Sequence, residues 1–96
     1  MQTITGKFIK ALPITEGDSQ RGHWIRGGFI IEHGDEFIRT VAFTTYGEDR
    51  VLMPEGIPQN TMVQVGYQPE SREFEGRWYT ELRCFTITPL VPTQFR

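Results

Sequence analysis

The amino-acid sequence predicts an all-β protein of one domain, in which five strands close into a small barrel. Two observations lead to this prediction. Apolar and polar residues alternate with a period of two in five separate runs, and helical periodicity is almost absent. Clusters of Gly, Pro, Asp and Asn separate these runs, as turns require. The 96 residues leave room for one core. We expect the domain to span residues 1–91 and residues 92–96 to form a short tail.

The first two predicted strands are joined by a polar segment. The first strand covers residues 3–12 and ends before Pro13, and a flexible loop follows at residues 16–22. The second strand covers residues 24–33. Its interior glycines, Gly27 and Gly28, predict a bend, because glycine inside a strand commonly marks a bulge or a corner.

The third predicted strand covers residues 37–46 and has two distinct faces. Val41, Phe43 and Thr45 share one face by alternation, which we expect to point into the core. Tyr46 lies on the opposite face and is therefore expected to be exposed.

The second half of the chain contains an irregular connection followed by a long hairpin. Residues 47–60 contain two prolines and two glycines, which leaves room for one or two helical turns at most. The fourth strand covers residues 61–68, an arm at residues 69–77 turns at Glu75-Gly76, and the fifth strand covers residues 78–88.

Three strands, a crossing segment and two further strands joined by a long hairpin form the strand order of an OB (oligonucleotide/oligosaccharide-binding) barrel. This fold is a five-stranded Greek-key barrel, here with a short or degenerate helical segment between strands three and four. The main alternative is an SH3-like barrel. It would need a shorter connection between its last strands and would leave residues 47–60 unexplained.

The amino-acid composition restricts the classes of function and the cellular location that we expect. The net charge of −2 argues against a broad cationic surface, although a local basic stripe can still bind nucleic acid. A single cysteine, Cys84, excludes an intrachain disulfide. The sequence has no secretory signal and no apolar stretch near the roughly 20 residues of a membrane span. We therefore expect a cytoplasmic protein without a membrane partner.

Catalytic and metal-binding patterns are missing from the sequence. His23 and His33 have no cysteine or carboxylate at ligand spacing, and Ser19 and Ser71 lack a nucleophile motif. Cys84 alternates as a buried strand residue does. We expect a binding protein rather than an enzyme, with no metal and no cofactor.

Part of the sequence resembles bacterial single-stranded DNA-binding proteins. The resemblance lies in three segments: residues 41–47, 63–65 and 72–83. They contain an aromatic-Gly pair that ends the third strand and a basic-aromatic arm before the fifth. The arm at residues 71–80, SREFEGRWYT, is more similar still to a small bacterial OB-fold family without an established function. The resemblance implies the OB fold and makes Tyr46 and Phe74 base-stacking positions.

Aromatic and arginine residues are concentrated where an OB barrel binds its ligands. A stacked base contributes about 1–3 kcal/mol, and cationic side chains hold the backbone. The predicted stacking residues are Tyr46, Phe74, Trp78 and Trp24, and the predicted phosphate contacts are Arg72, Arg77, Arg26 and Arg83. We predict binding of single-stranded DNA or RNA with little sequence preference. A homo-oligomer would offset the low cationic charge of one chain.

Two structural alternatives and one functional alternative stay open. The arm could be a solvated hairpin stabilised by cross-strand Arg–Glu pairs, and Trp24 could pack as a lid on the core. Aromatic and arginine residues also dominate protein interfaces. A protein-interaction or assembly module that uses the same arm is therefore the second hypothesis.

Overall fold

The computed structural model describes residues 1–90 and contains five strands and one short helix. The elements are β1 (Gln2–Ser19), β2 (Gly22–His33), β3 (Arg39–Tyr46), α1 (Glu48–Val51), β4 (Met62–Phe74) and β5 (Arg77–Pro89). No helix within residues 1–90 is long and apolar enough to cross a membrane. The predicted tail at residues 92–96 and the predicted domain end at residue 91 lie outside the described residues.

The strands close into a barrel in the order β1-β2-β3-β5-β4. β1 pairs antiparallel with both β2 and β4, and the barrel closes through a parallel contact between β3 and β5, where Thr44 lies opposite Arg83. With the four-residue helix α1 between β3 and β4, this is the OB topology. The predicted fold class is confirmed, including the short helical segment in the 47–60 connection.

The prediction that the first strand ends before Pro13 is wrong. β1 continues to Ser19, and its pairing with β2 shifts register between Leu12 and Thr15, around the proline. Proline has no N–H to donate to the ladder, so the chain bulges there and then resumes pairing. The predicted flexible loop at residues 16–22 is therefore mostly regular hairpin, and its turn is confined to Gln20 and Arg21.

The predicted arm is likewise a direct continuation of two strands. β4 runs on to Phe74, which pairs with Arg77 across the turn at Glu75-Gly76. Past Leu12, β1 pairs with β2 alone, and past Tyr67, β4 pairs with β5 alone. These two hairpins contribute to the elongated shape of the molecule, 54 × 29 × 22 Å. We call them the β1–β2 arm and the β4–β5 arm.

Three phenylalanines with closely packed rings form the centre of the core inside the barrel. The ring centroids of Phe8 and Phe29 are 6.0 Å apart, and those of Phe29 and Phe43 are 5.3 Å apart. Four further buried residues complete the cluster: Ile31, Val63, Val65 and Cys84. The predicted inward face of the third strand is confirmed, because Phe43 and Thr45 are buried and Val41 is partly buried against the core. None of the core cluster is a predicted site residue, so the core and the site are separate.

Candidate functional site

A groove of about 820 Å³ lies between the two arms, on the outer surface of β2, β3, β4 and β5. Ten residues line it: Trp24, Arg26, Tyr46, Glu70, Ser71, Arg72, Tyr79, Thr80, Glu81 and Arg83. Five of the eight predicted site residues are among them: Trp24, Arg26, Tyr46, Arg72 and Arg83. The groove therefore brings together residues from four strands that are far apart in sequence.

Strand register explains why these side chains meet. Arg26 of β2 lies opposite Tyr46 of β3, and Trp24 is two residues before Arg26, on the same face. On β5, the same alternation places Glu81 and Arg83 on one face, and the β3–β5 contact brings that face beside Tyr46. The groove is thus a product of barrel closure and not of one local motif.

Trp24 forms the wall of the groove on the β1–β2 arm. It lies opposite Gly17, and a Cβ atom on Gly17 would be 2.7 Å from the indole Cζ2. The missing side chain lets the indole ring pack directly against the backbone of β1. Trp24 is 42% exposed and is not part of the core, so it does not act as a core lid.

Tyr46 and Glu81 form the floor of the groove. The Tyr46 hydroxyl donates to both carboxylate oxygens of Glu81, at 2.5 Å to Oε1 and 2.9 Å to Oε2. Arg26 Nη2 lies 3.9 Å from Glu81 Oε2. Tyr46 was predicted to be exposed but is half-buried, because Glu81 and Arg83 pack around it. Burial is the main cause that raises the pKa of the Tyr46 hydroxyl, and the hydrogen bond to Glu81 is the second. The hydroxyl therefore remains a donor at neutral pH.

Arg83 covers one face of the Tyr46 ring. Its guanidinium carbon is 5.0 Å from the Tyr46 ring centroid and 5.7 Å from that of Phe85. Arg83 Nη1 is also 3.3 Å from Glu70 Oε2. A flat guanidinium held against a ring offers a second planar surface on which a ligand can stack.

Arg72 differs from the other two arginines of the groove. Within residues 1–90 it has no ion-pair partner, whereas Arg26 and Arg83 each face a glutamate. It lies opposite Tyr79, whose half-exposed ring also lines the groove. Three arginines and two glutamates make the groove net cationic, although the chain carries a net charge of −2.

Three predicted site residues lie outside the groove, towards the tip of the β4–β5 arm. Phe74 pairs with Arg77 and, by alternation, shares the face of Arg72. Trp78 lies on the opposite face, across from Glu73. Phe74 is 62% exposed and Trp78 is 69% exposed. Phe74 and Arg77 can extend the groove surface along the arm, and Trp78 cannot.

Three groove residues with relevant chemistry were absent from the predicted site: Glu70, Tyr79 and Glu81. Counting back by twos from Arg83 reaches Glu81 and then Tyr79 on the same face. That signal was available in the sequence. The same count of two back from Arg72 on β4 reaches Glu70, and the pairing of β4 with β5 places it opposite Glu81.

Fold and site together define an OB-fold barrel with an open groove lined by aromatic rings and arginines between two hairpin arms. The chain belongs to the DUF3127 family, a domain of unknown function whose profile matches residues 3–88. This confirms the predicted resemblance to a small OB-fold family of uncharacterised function. No curated protein sequence shows a significant match to the chain.

Solved structures share the fold at low sequence identity. The mitochondrial single-stranded DNA-binding protein Rim1 of S. cerevisiae is 19% identical, with a TM-score of 0.68 over 93% of this chain and 92% of Rim1. The small single-stranded DNA-binding protein of Streptomyces coelicolor is 15% identical, with a TM-score of 0.46 over 94% of this chain and 93% of that chain. The likeness to Rim1 shows a shared OB fold.

Proposed function

We propose that this protein binds single-stranded DNA or RNA in the groove between the two arms, largely by stacking and therefore with little dependence on sequence. One observation carries the proposal. Trp24, Tyr46 and Tyr79 present rings to the same groove that holds three arginines. OB folds bind oligonucleotides at this position, on strands two and three between the loops of the two hairpins.

The two kinds of side chain would bind different parts of a strand. Aromatic faces accept any base, because every base has a π-face, and each stacked base contributes about 1–3 kcal/mol. Among the three groove arginines, Arg72 is the one most available to a phosphate, since no carboxylate among residues 1–90 pairs with it. Phe74 and Arg77 would continue the path to the tip of the β4–β5 arm. The shared fold with Rim1 supports the proposal by analogy only.

The two tryptophans allow a fluorescence test that locates the ligand. Trp24 lies in the groove and Trp78 lies on the other face of the β4–β5 arm. Titration with oligo-dT should quench the tryptophan fluorescence of the W78F variant, in which Trp24 is the remaining tryptophan. The W24F variant, in which Trp78 remains, should show little quenching. Quenching should weaken as salt increases, because phosphate contacts release counterions.

A charge variant completes the test. R72A should weaken binding and flatten the salt dependence by about 0.7 in log–log slope, the value for one phosphate contact on a single strand. The matched control is R39A, an exposed arginine at the start of β3, the opposite end of that strand from Tyr46. Equal behaviour of R72A and R39A would refute the groove as the binding site.

The exposed rings of the β4–β5 arm support a second candidate function, self-assembly or protein binding. Trp78 and Phe74 are large, apolar and well exposed, as residues at protein interfaces are before assembly. In this case W78A should lower the mass measured by light scattering while leaving oligo-dT affinity unchanged. A monomeric wild-type protein would rule out the homo-oligomer.

A further inference from the structure

A carboxylate lies at the floor of the groove that we assign to nucleic acid. We infer that Glu81 reads one base of the bound strand and favours bases with an exocyclic amino group, such as cytosine, over thymine and uracil. This inference rests on the proposed function and adds a single selective position to an otherwise tolerant groove.

The position of Glu81 leaves part of its carboxylate free to accept hydrogen bonds. Its side chain is 21% exposed, and both oxygens accept from the same donor, the Tyr46 hydroxyl. Arg26 is 3.9 Å away, beyond hydrogen-bond distance. An ionised carboxylate has about four lone-pair sites, so a single hydroxyl proton leaves most of them unused. Tyr46 also fixes the direction in which the remaining sites point.

Charge then decides which part of a strand can reach Glu81. A phosphate beside this carboxylate would place two negative charges together in a partly desolvated groove, which is unfavourable. Phosphates are instead attracted to Arg72, the groove arginine that no carboxylate among residues 1–90 neutralises. A strand with its phosphates at Arg72 can direct a base edge to the groove floor.

The chemistry of base edges provides the selectivity. Cytosine presents its N4 amino group as a donor, and a carboxylate accepts from it. Thymine and uracil present an oxygen, O4, at the position of that amino group, so two acceptors would face each other there and only the neighbouring N3–H could donate. Guanine and adenine also carry amino donors. The groove should therefore disfavour thymine and uracil in particular.

The test compares fluorescently labelled oligo-dC and oligo-dT of equal length by anisotropy, at mildly alkaline pH, where oligo-dC stays single-stranded. Wild-type protein should bind oligo-dC at least about fivefold more tightly, the lower end of the discrimination expected from one base-edge contact. E81Q should bring the ratio of the two affinities close to one, because the amide can also donate to thymine O4. The matched control, E73Q, removes a glutamate charge from the face of the β4–β5 arm that lies away from the groove and should leave that ratio unchanged.

The outcomes separate this inference from the proposed function. Equal wild-type affinities for the two oligonucleotides, or a preference that survives E81Q, would overturn the role of Glu81 while nucleic-acid binding stands. Absence of binding to either oligonucleotide would overturn both. The Y46F variant tests the role of Glu81 independently. It keeps the aromatic ring at position 46 and the charge of Glu81 but removes the hydroxyl that orients the Glu81 carboxylate. It should reduce the preference for oligo-dC without abolishing binding.

Discussion

Replacing Glu70 by glutamine tests whether the glutamates of the groove compete with nucleic acid for its arginines. Glu70 Oε2 lies 3.3 Å from Arg83 Nη1, with the two side chains 46% and 36% exposed. A pair this exposed contributes about 0.2–1 kcal/mol to stability, so Glu70→Gln should scarcely change the free energy of unfolding. It should nevertheless remove one of two negative charges from the groove and release Arg83.

The expected gain in affinity follows from counterion release. One additional phosphate contact on a single strand steepens the log–log salt dependence by about 0.7, which corresponds to about fivefold tighter binding at 0.1 M salt relative to 1 M. Fluorescence titrations with oligo-dT at several salt concentrations measure both quantities. Glu73→Gln is the control, because it removes the same charge from the same strand on the face away from the groove. An unchanged slope and affinity for Glu70→Gln would show that Glu70 does not restrain Arg83.

Three further predictions concern the β1–β2 arm and the core. Gly17→Ala should push the Trp24 indole away from β1, since the new Cβ would lie 2.7 Å from Cζ2. The expected loss of binding free energy is up to that of one stacked base, about 1–3 kcal/mol. Unchanged oligonucleotide affinity and unchanged tryptophan emission would contradict this prediction. The pKa of His23 is raised above 6.5, first by its hydrogen bond to Asp18, so its stabilisation of the arm is fully present below pH 6.5 and is lost as pH rises through the folded-state pKa. An NMR titration should show that Asp18→Asn lowers this pKa. Burial raises the pKa of the Cys84 thiol to about 11, so a thiol reagent should label the protein on unfolding and not before.

The fold was predictable from sequence because its signals are local. Alternation in the third strand identified Phe43 and Thr45 as inward-facing, and the irregular composition of residues 47–60 marked the crossing segment. The strand boundaries were less predictable. At Pro13, sequence shows where a ladder hydrogen bond is lost and does not show that a bulge restores pairing beyond it.

The site was predictable only where it follows local register. Trp24, Arg26 and Tyr46 lie on adjacent strands, and alternation places them together once β2 pairs with β3. The contact between Tyr46 and Glu81 joins residues 35 positions apart and depends on closure of β3 onto β5. No local pattern encodes that closure.

A register shift in β5 also decides which aromatic residue of the β4–β5 arm faces the groove. Gly66 pairs with Thr86 and Tyr67 pairs with Cys84, which leaves Phe85 as an extra residue. Ile87 is partly buried and faces the core. Counting back from it by twos, without a bulge, would place Phe85 and Arg83 on the same inward face. The bulge reverses the faces, and that is why Tyr79 rather than Trp78 lines the groove.

Because each arm is a two-stranded ribbon beyond the barrel, the walls of the groove are held less firmly than its floor. Amide hydrogens in the outer parts of both hairpins should exchange by local opening, at a lower free energy than those around Phe29 and Phe43. In the proposed complex, the spacing between the walls would then adjust to purines or pyrimidines while Tyr46 and Glu81 keep their geometry. Under the proposed function, a firmly held floor between flexible walls would let one protein bind strands of varied base composition.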